Sequence, residues 1–108
     1  MNTIKTFLDT LNIKDSKGRQ YLETLLKTQK APYTPTTSIY KNIANIHNTT
    51  PTNVEFNIRY IKSKIKPEGV GVFSRPPSTL YNRDFIIELI IAYNKESKNP
   101  NITINKEW

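Results

Sequence analysis

Two amphipathic segments that meet across a very short polar turn constrain the fold of this chain more than any other feature. Residues 37–48 and 51–65 each place apolar side chains at helical spacing, and in the second segment these recur at i, i+4, i+7 and i+11 from Val54. Thr50 suits an N-cap, where its oxygen accepts from free backbone N–H groups, and Pro51 is preorganised for the first helical position. The pattern therefore predicts two helices joined by a turn at residues 48–50.

Three further segments carry apolar residues at helical spacing. Helices are predicted at residues 3–11, from an N-cap at Asp15 or Ser16 up to the proline-containing segment 31–35, and from Asn82 to about residue 95. Proline ends the second of these because it cannot continue a helix and restrains the residue before it. The predicted fold class is all-α, a compact bundle of about five to six helices containing a helix-turn-helix at about residues 38–65.

Glycine and proline mark the connection between the fourth and the last predicted helix. Residues 66–82 predict a loop with a short helical turn near its end, and a small strand formed by Val70, Val72 and Phe73 is the alternative. The expected organisation is one domain at residues 1–96, followed by a polar tail at residues 97–108 that packs loosely.

Positive charge is concentrated before Pro67. Up to that point eleven Lys and Arg residues face four Asp and Glu residues, whereas from Pro67 onward five face five, so the net charge of +7 lies entirely in the first part. A local basic excess is expected of a protein with a polyanionic partner, because neutralising phosphates releases condensed counterions. A solvated lysine-rich surface is the other interpretation.

Composition narrows the classes of function. The chain has no cysteine and one histidine, His47, which leaves no disulfide, thiolate nucleophile or ordinary zinc site. His47 is expected to pack, no catalytic dyad is found, and no enzyme activity, cofactor, metal or small-molecule substrate is predicted. The absence of a long apolar run and of a secretory pattern predicts a cytoplasmic protein without a membrane partner. Heavy use of Asn, Lys, Ile and Thr suggests an A/T-rich genome, as in a low-GC bacterium or its phages and mobile elements.

The central segment meets the physical requirements of a helix-turn-helix. Ala44 supplies the small residue that a helix crossing needs, and a short polar turn holds the second helix out for the major groove. Opposite its apolar stripe the second helix carries Asn53, Asn57 and Arg59. Asparagine can pair bidentately with adenine, and arginine with guanine. A plain helical hairpin within a core is the structural alternative.

Several short motifs of this segment point to a known family. They are Ile39-Tyr40, Ile43-Ala44, Asn48-Thr49-Thr50-Pro51, Val54-Glu55 and Ile58-Arg59, with weaker similarity at Lys17-Gly18, Tyr21-Leu22 and residues 82–93. Together they resemble the C-terminal effector domain of the sporulation initiation response regulator of endospore-forming bacteria. The resemblance implies a six-helix domain that binds DNA through its fourth-helix region and pairs on DNA through its C-terminal helix.

The chain also departs from that family. The family has basic residues where this sequence has Asn53 and Phe56, so a target sequence is not implied. The sequence contains no phosphoacceptor receiver domain, so control by aspartyl phosphorylation is not implied either. The expectation is a divergent, stand-alone member.

These observations predict a sequence-specific, double-stranded DNA-binding transcriptional regulator, nucleoid-associated or in the host cytoplasm if phage-encoded. The predicted base contacts are Asn53, Glu55, Phe56, Asn57 and Arg59, and the predicted phosphate contacts are Lys41, Thr50, Thr52, Lys62 and Lys64. Phe56 either packs or touches a thymine methyl. A weak homodimer is predicted through the last helix, at Ile86, Ile87, Ile90 and Ile91. The alternative function is a small phage or mobile-element protein that uses the same fold to bind and inhibit a host protein.

Overall fold

The computed structural model describes residues 3–29, 31, 33–65 and 73–105, with side chains up to residue 96 of the last helix. Within these ranges the chain forms five α-helices and no strand. The helices are α1 (Ile4–Thr10), α2 (Lys17–Thr28), α3 (Thr36–His47), α4 (Pro51–Lys64) and α5 (Asn82–Asn105), with a short 3-10 helix (Pro77–Thr79) before α5. The predicted all-α compact bundle is confirmed. The alternative strand at Val70 and Val72 lies outside the described residues, and Phe73 is a bend.

Polar side chains cap two of these helices where the sequence predicted them. The Ser16 hydroxyl accepts from the Arg19 backbone N–H at 3.2 Å, and the Thr50 hydroxyl accepts from the Asn53 N–H at 3.1 Å. No side chain caps α3, which begins one residue before the predicted segment 37–48. Helix α3 begins at Thr36, because the Pro35 carbonyl already accepts the first backbone bonds of the helix.

Helix α4 lies at the centre of the bundle and packs against α2, α3 and α5. Its stripe of Val54, Ile58 and Ile61 is buried in the core, as its spacing predicted. Gly18 allows the close approach of α2, because a Cβ at this position would lie 2.8 Å from the Asn57 carbonyl oxygen of α4. This packing leaves one side of α4 facing outward.

Helix α5 is longer than predicted. Its buried face is formed by Phe85, Ile86, Leu89 and Ile90, while Ile87 and Ile91 stay partly exposed. The helix continues to Asn105, so the tail predicted to begin at residue 97 is helical for most of its length. Extending a nucleated helix needs no apolar side chains, which is why the hydrophobic pattern did not reveal this extension; Pro100, within it, contributes no backbone N–H. No helix in the described part of the chain has the length and apolarity needed to cross a bilayer.

Candidate nucleic-acid interface

The turn between α3 and α4 is held by local hydrogen bonds. Asn48 adopts the left-handed conformation with a φ of 55°, which asparagine tolerates better than most residues. The backbone N–H groups of Asn48 and Thr49 both donate to the Ala44 carbonyl. Together with the Thr50 cap, these bonds set the position from which α4 begins.

The outward side of α4, which we call its outer face, is formed by Thr52, Phe56, Arg59, Tyr60 and Ser63. All five residues are exposed. Phe56 is 60% and Tyr60 53% exposed, so neither aromatic ring is accounted for by the core. This face of α4 carries apolar, aromatic and cationic groups, whereas the opposite side of the helix is packed in the core.

Asn53 connects α4 to the rest of the bundle. Its side-chain Nδ2 donates to the Tyr21 hydroxyl of α2 at 3.2 Å and to the Thr49 hydroxyl at 3.0 Å. Its Oδ1 accepts from the Asn57 Nδ2 at 3.2 Å, and the same Nδ2 donates to the Asn53 carbonyl at 2.8 Å. Every N–H of the two amides therefore has a partner inside the protein. Both side chains position the start of α4, and the adenine contact predicted for Asn53 and Asn57 would require exchanging these largely exposed bonds.

Arg59 and Glu55 form an exposed ion pair one helical turn apart. The Arg59 Nη2 lies 2.9 Å from the Glu55 Oε2, and both side chains are substantially exposed. Exposed pairs of this kind contribute little to stability, about 0.3–0.5 kcal/mol on a helix. A nucleic-acid group can therefore replace Glu55 as the partner of Arg59 at low cost.

The predicted phosphate-contacting residues fall into two groups. Lys41, Thr50, Thr52 and Lys64 are exposed, and the Lys64 ammonium lies 5.0 Å from the centre of the Tyr60 ring. Lys62, by contrast, is only 7% exposed and donates its ammonium N–H to the Leu80 carbonyl. The phosphate contact predicted for Lys62 is wrong, because this side chain connects α4 to the segment before α5 and does not reach solvent.

The burial of Lys62 can be measured through the pH dependence of the free energy of unfolding. Burial lowers the pKa of the Lys62 ammonium, and the nearby Arg59 charge lowers it further. In the interval between this lowered pKa and about 10.4, the unfolded chain binds more protons at this residue than the folded chain, so raising the pH stabilises the fold. The free energy of unfolding of wild type minus that of Lys62→Met is expected to increase with pH across this interval. A difference that stays constant at every pH would show that Lys62 is solvated. Lys64→Met, which changes an exposed lysine, is the matched control.

Arg19 is a second cation that the fold uses internally. Its guanidinium lies 2.7 Å from the Asp9 carboxylate and 3.2 Å from that of Glu23, and the residue is buried. Arg19 and Lys62 are both buried, so neither cation is available to a polyanion. The i, i+4 spacing of Arg19 and Glu23 was a visible signal for one of these pairs.

A cleft of about 1230 Å³ lies between the α1–α2 connection and the C-terminal end of α4. Lys5, Lys14 and Lys64 line it together with Asp9 and Asp15. The mixed signs oppose one another, so the cleft offers no strong field for an anion. Within the described part of the chain, no group of three His, Asp or Glu residues is placed to hold a metal ion.

His47 and the apolar residues of α5 pack mainly within the chain itself. The His47 Nε2 lies 2.6 Å from the Thr24 hydroxyl, and its ring meets Tyr21 edge-on, so this histidine packs as expected. Of the residues predicted to form a dimer contact, Ile86 and Ile90 are fully buried in the core of their own chain. Ile91, at 43% exposed, and the half-buried Ile87 remain for a partner, which is a smaller surface than predicted.

No protein-family model, curated protein or solved structure matches this chain significantly.

Proposed function

We propose that the protein binds double-stranded DNA in a sequence-specific manner, with the outer face of α4 in the major groove. The observation that carries the proposal is the way α4 is presented. The Thr50 cap and the Asn53 hydrogen bonds hold its first turn, while Phe56 and Arg59 point away from the core. In this proposal α3, the turn and α4 form the helix-turn-helix, with α4 as the recognition helix.

Exposed cations supply the phosphate contacts in this proposal. Lys41 on α3 and Lys64 near the end of α4 are both exposed. Residues 52 and 64 are about 18 Å apart along a helix, which exceeds the roughly 12 Å width of the major groove. When the first turns of α4 enter the groove, Lys64 is therefore carried to the flanking backbone. The resemblance to the sporulation regulator effector domain supports the same docking, and a transcriptional regulator of a low-GC bacterium or its phage is the corresponding role.

A second candidate is a protein that binds and inhibits a host protein. Its support is the exposed pair of Phe56 and Tyr60 beside Arg59, since aromatic residues and arginine are enriched at the centres of protein interfaces. The concentration of exposed cations around α4 favours DNA. Selection of bound sequences from a random duplex pool tests the choice, because only the DNA-binding function enriches a common sequence.

Variants of α4 provide the residue-level test on the selected duplex. If Arg59 pairs with a guanine edge, Arg59→Ala is expected to weaken binding by about 1–3 kcal/mol and to relax the preference at one base pair. Lys64→Ala is expected to weaken binding to all duplexes about equally, as phosphate contacts do. Affinities of each variant for the selected site and for single-base variants of that site measure both effects.

Glu55→Gln is the matched control for Arg59. It removes the ion-pair partner and keeps the helix and the side-chain volume, so the preference at the base pair read by Arg59 is expected to persist. Because Glu55 is itself a predicted base contact, any change is expected at a different base pair. An equal loss in Glu55→Gln and Arg59→Ala would mean that Arg59 acts only through Glu55. If Arg59→Ala remains folded by circular dichroism and leaves affinity and preference unchanged, the major-groove assignment fails and the protein-binding function becomes the better proposal.

A further inference from the structure

Phe56 occupies the middle of the outer face of α4. It lies two residues from both Val54 and Ile58, which places it about 160° around the helix from that buried stripe. Phe56 is 60% exposed, is the one wholly hydrocarbon side chain among the five residues of this face, and adds little to the core. Folding does not explain an apolar ring at this position.

The neighbouring polar groups leave few ways to recognise a base. The N–H groups of Asn53 and Asn57 already have partners within the protein, so reading a base through these two amides requires exchanging those bonds. Arg59 remains as a donor on one side of Phe56, and the cation of Lys64 lies on the other side beside Tyr60. The centre of the face is thus apolar, and its flanks are cationic.

In the major groove of DNA the one apolar group among the base edges is the C5-methyl of thymine. We infer that Phe56 recognises a thymine through this methyl group, with the flanking cations holding the backbone of the duplex. The inference depends on the proposed DNA-binding function and adds to it a specificity-determining residue and the base that it selects. Apolar contact requires no hydrogen bond, so it is compatible with the engaged amides of Asn53 and Asn57 beside Phe56.

Substituting deoxyuridine for thymine tests this inference, because it removes the methyl and retains the base pair. In the duplex selected from a random pool, each thymine is replaced in turn, and affinity is measured by fluorescence anisotropy at constant salt. Wild type is expected to lose about fourfold in affinity at one position, which corresponds to one buried methyl-sized group. In Phe56→Ala this loss is expected to disappear, while Phe56→Leu retains part of it. Tyr81→Ala, which removes another exposed aromatic outside α3 and α4, is expected to retain all of it.

Three outcomes would overturn the inference. Equal binding of thymine and uracil duplexes by wild type at every position rules out methyl recognition, and a methyl effect that persists in Phe56→Ala assigns it to another residue. Both outcomes leave sequence-specific DNA binding intact. Failure to enrich any duplex refutes the DNA-binding function together with this inference, and then Phe56 and Tyr60 belong to a protein-binding surface. Thermal unfolding of Phe56→Ala confirms that the variant is folded, as expected for an exposed side chain.

Discussion

Replacing Arg19 with alanine is expected to lower the free energy of unfolding by about 2 kcal/mol, because it removes a buried guanidinium and leaves its hydrogen-bond acceptors, including one buried carbonyl, without that donor. The Arg19 Nη1 donates to the Asp9 carboxylate and to the buried Ile13 carbonyl, each at 2.7 Å. Its Nε donates to Glu23, and its Nη2 to the Lys5 carbonyl, each at 3.2 Å. The four bonds join α1 and the following connection to α2, so these elements are expected to loosen together.

Urea denaturation of the variant measures the loss. Lys17→Ala, an exposed change on the same helix, is the matched control and is expected to shift stability by less than about 0.5 kcal/mol. Arg19→Lys retains the charge but offers no planar fork for several acceptors, so an intermediate loss is expected. A loss below about 1 kcal/mol in Arg19→Ala would mean that water replaces the guanidinium and that Phe7 and Leu8 alone hold α1 in place.

Duplex binding is expected to weaken about a hundredfold between 50 and 200 mM salt, the loss that corresponds to about four phosphate contacts. Of the eleven basic residues before Pro67, Arg19 and Lys62 are buried and are not available to phosphates. Lys41 and Lys64 are exposed and remain candidates. The slope of the logarithm of affinity against the logarithm of salt concentration measures the number of contacts.

Three lysine variants separate these contributions. Lys41→Met and Lys64→Met are each expected to reduce the slope by about one phosphate contact, while Lys62→Met leaves it unchanged. A flat salt response of wild type would exclude phosphate binding by this surface. A reduced slope in Lys62→Met would contradict the internal role of that side chain.

The candidate site was partly visible in the sequence. The spacing of Val54, Ile58 and Ile61 assigned the buried side of α4, and therefore placed Phe56 and Arg59 on the opposite side. These predictions succeed because residues three and four apart lie on the same face of an α-helix, whatever surrounds the helix. The sequence did not show that Asn53 is also bonded to Tyr21 of α2, since that partner lies 32 residues away in the chain.

Helix boundaries also divide into those that the local sequence predicts and those that it does not. The caps at Ser16 and Thr50 were predictable because the capping oxygen and the N–H that it accepts from lie three residues apart. The extension of α5 to Asn105 was not, because the residues beyond the buried face carry no apolar period that distinguishes a helix from a polar tail.

The sequence by itself determined the all-α fold, the short turn between α3 and α4, and the buried side of α4, because each depends on residues close together in the chain. Only the tertiary structure decided which polar side chains remain available to a partner. Asn53 meets Tyr21 of α2, and Lys62 reaches the Leu80 carbonyl, across separations that no local pattern encodes. Both residues lie at the edges of the buried stripe, where the neighbouring element determines whether a polar group faces solvent or another part of the protein.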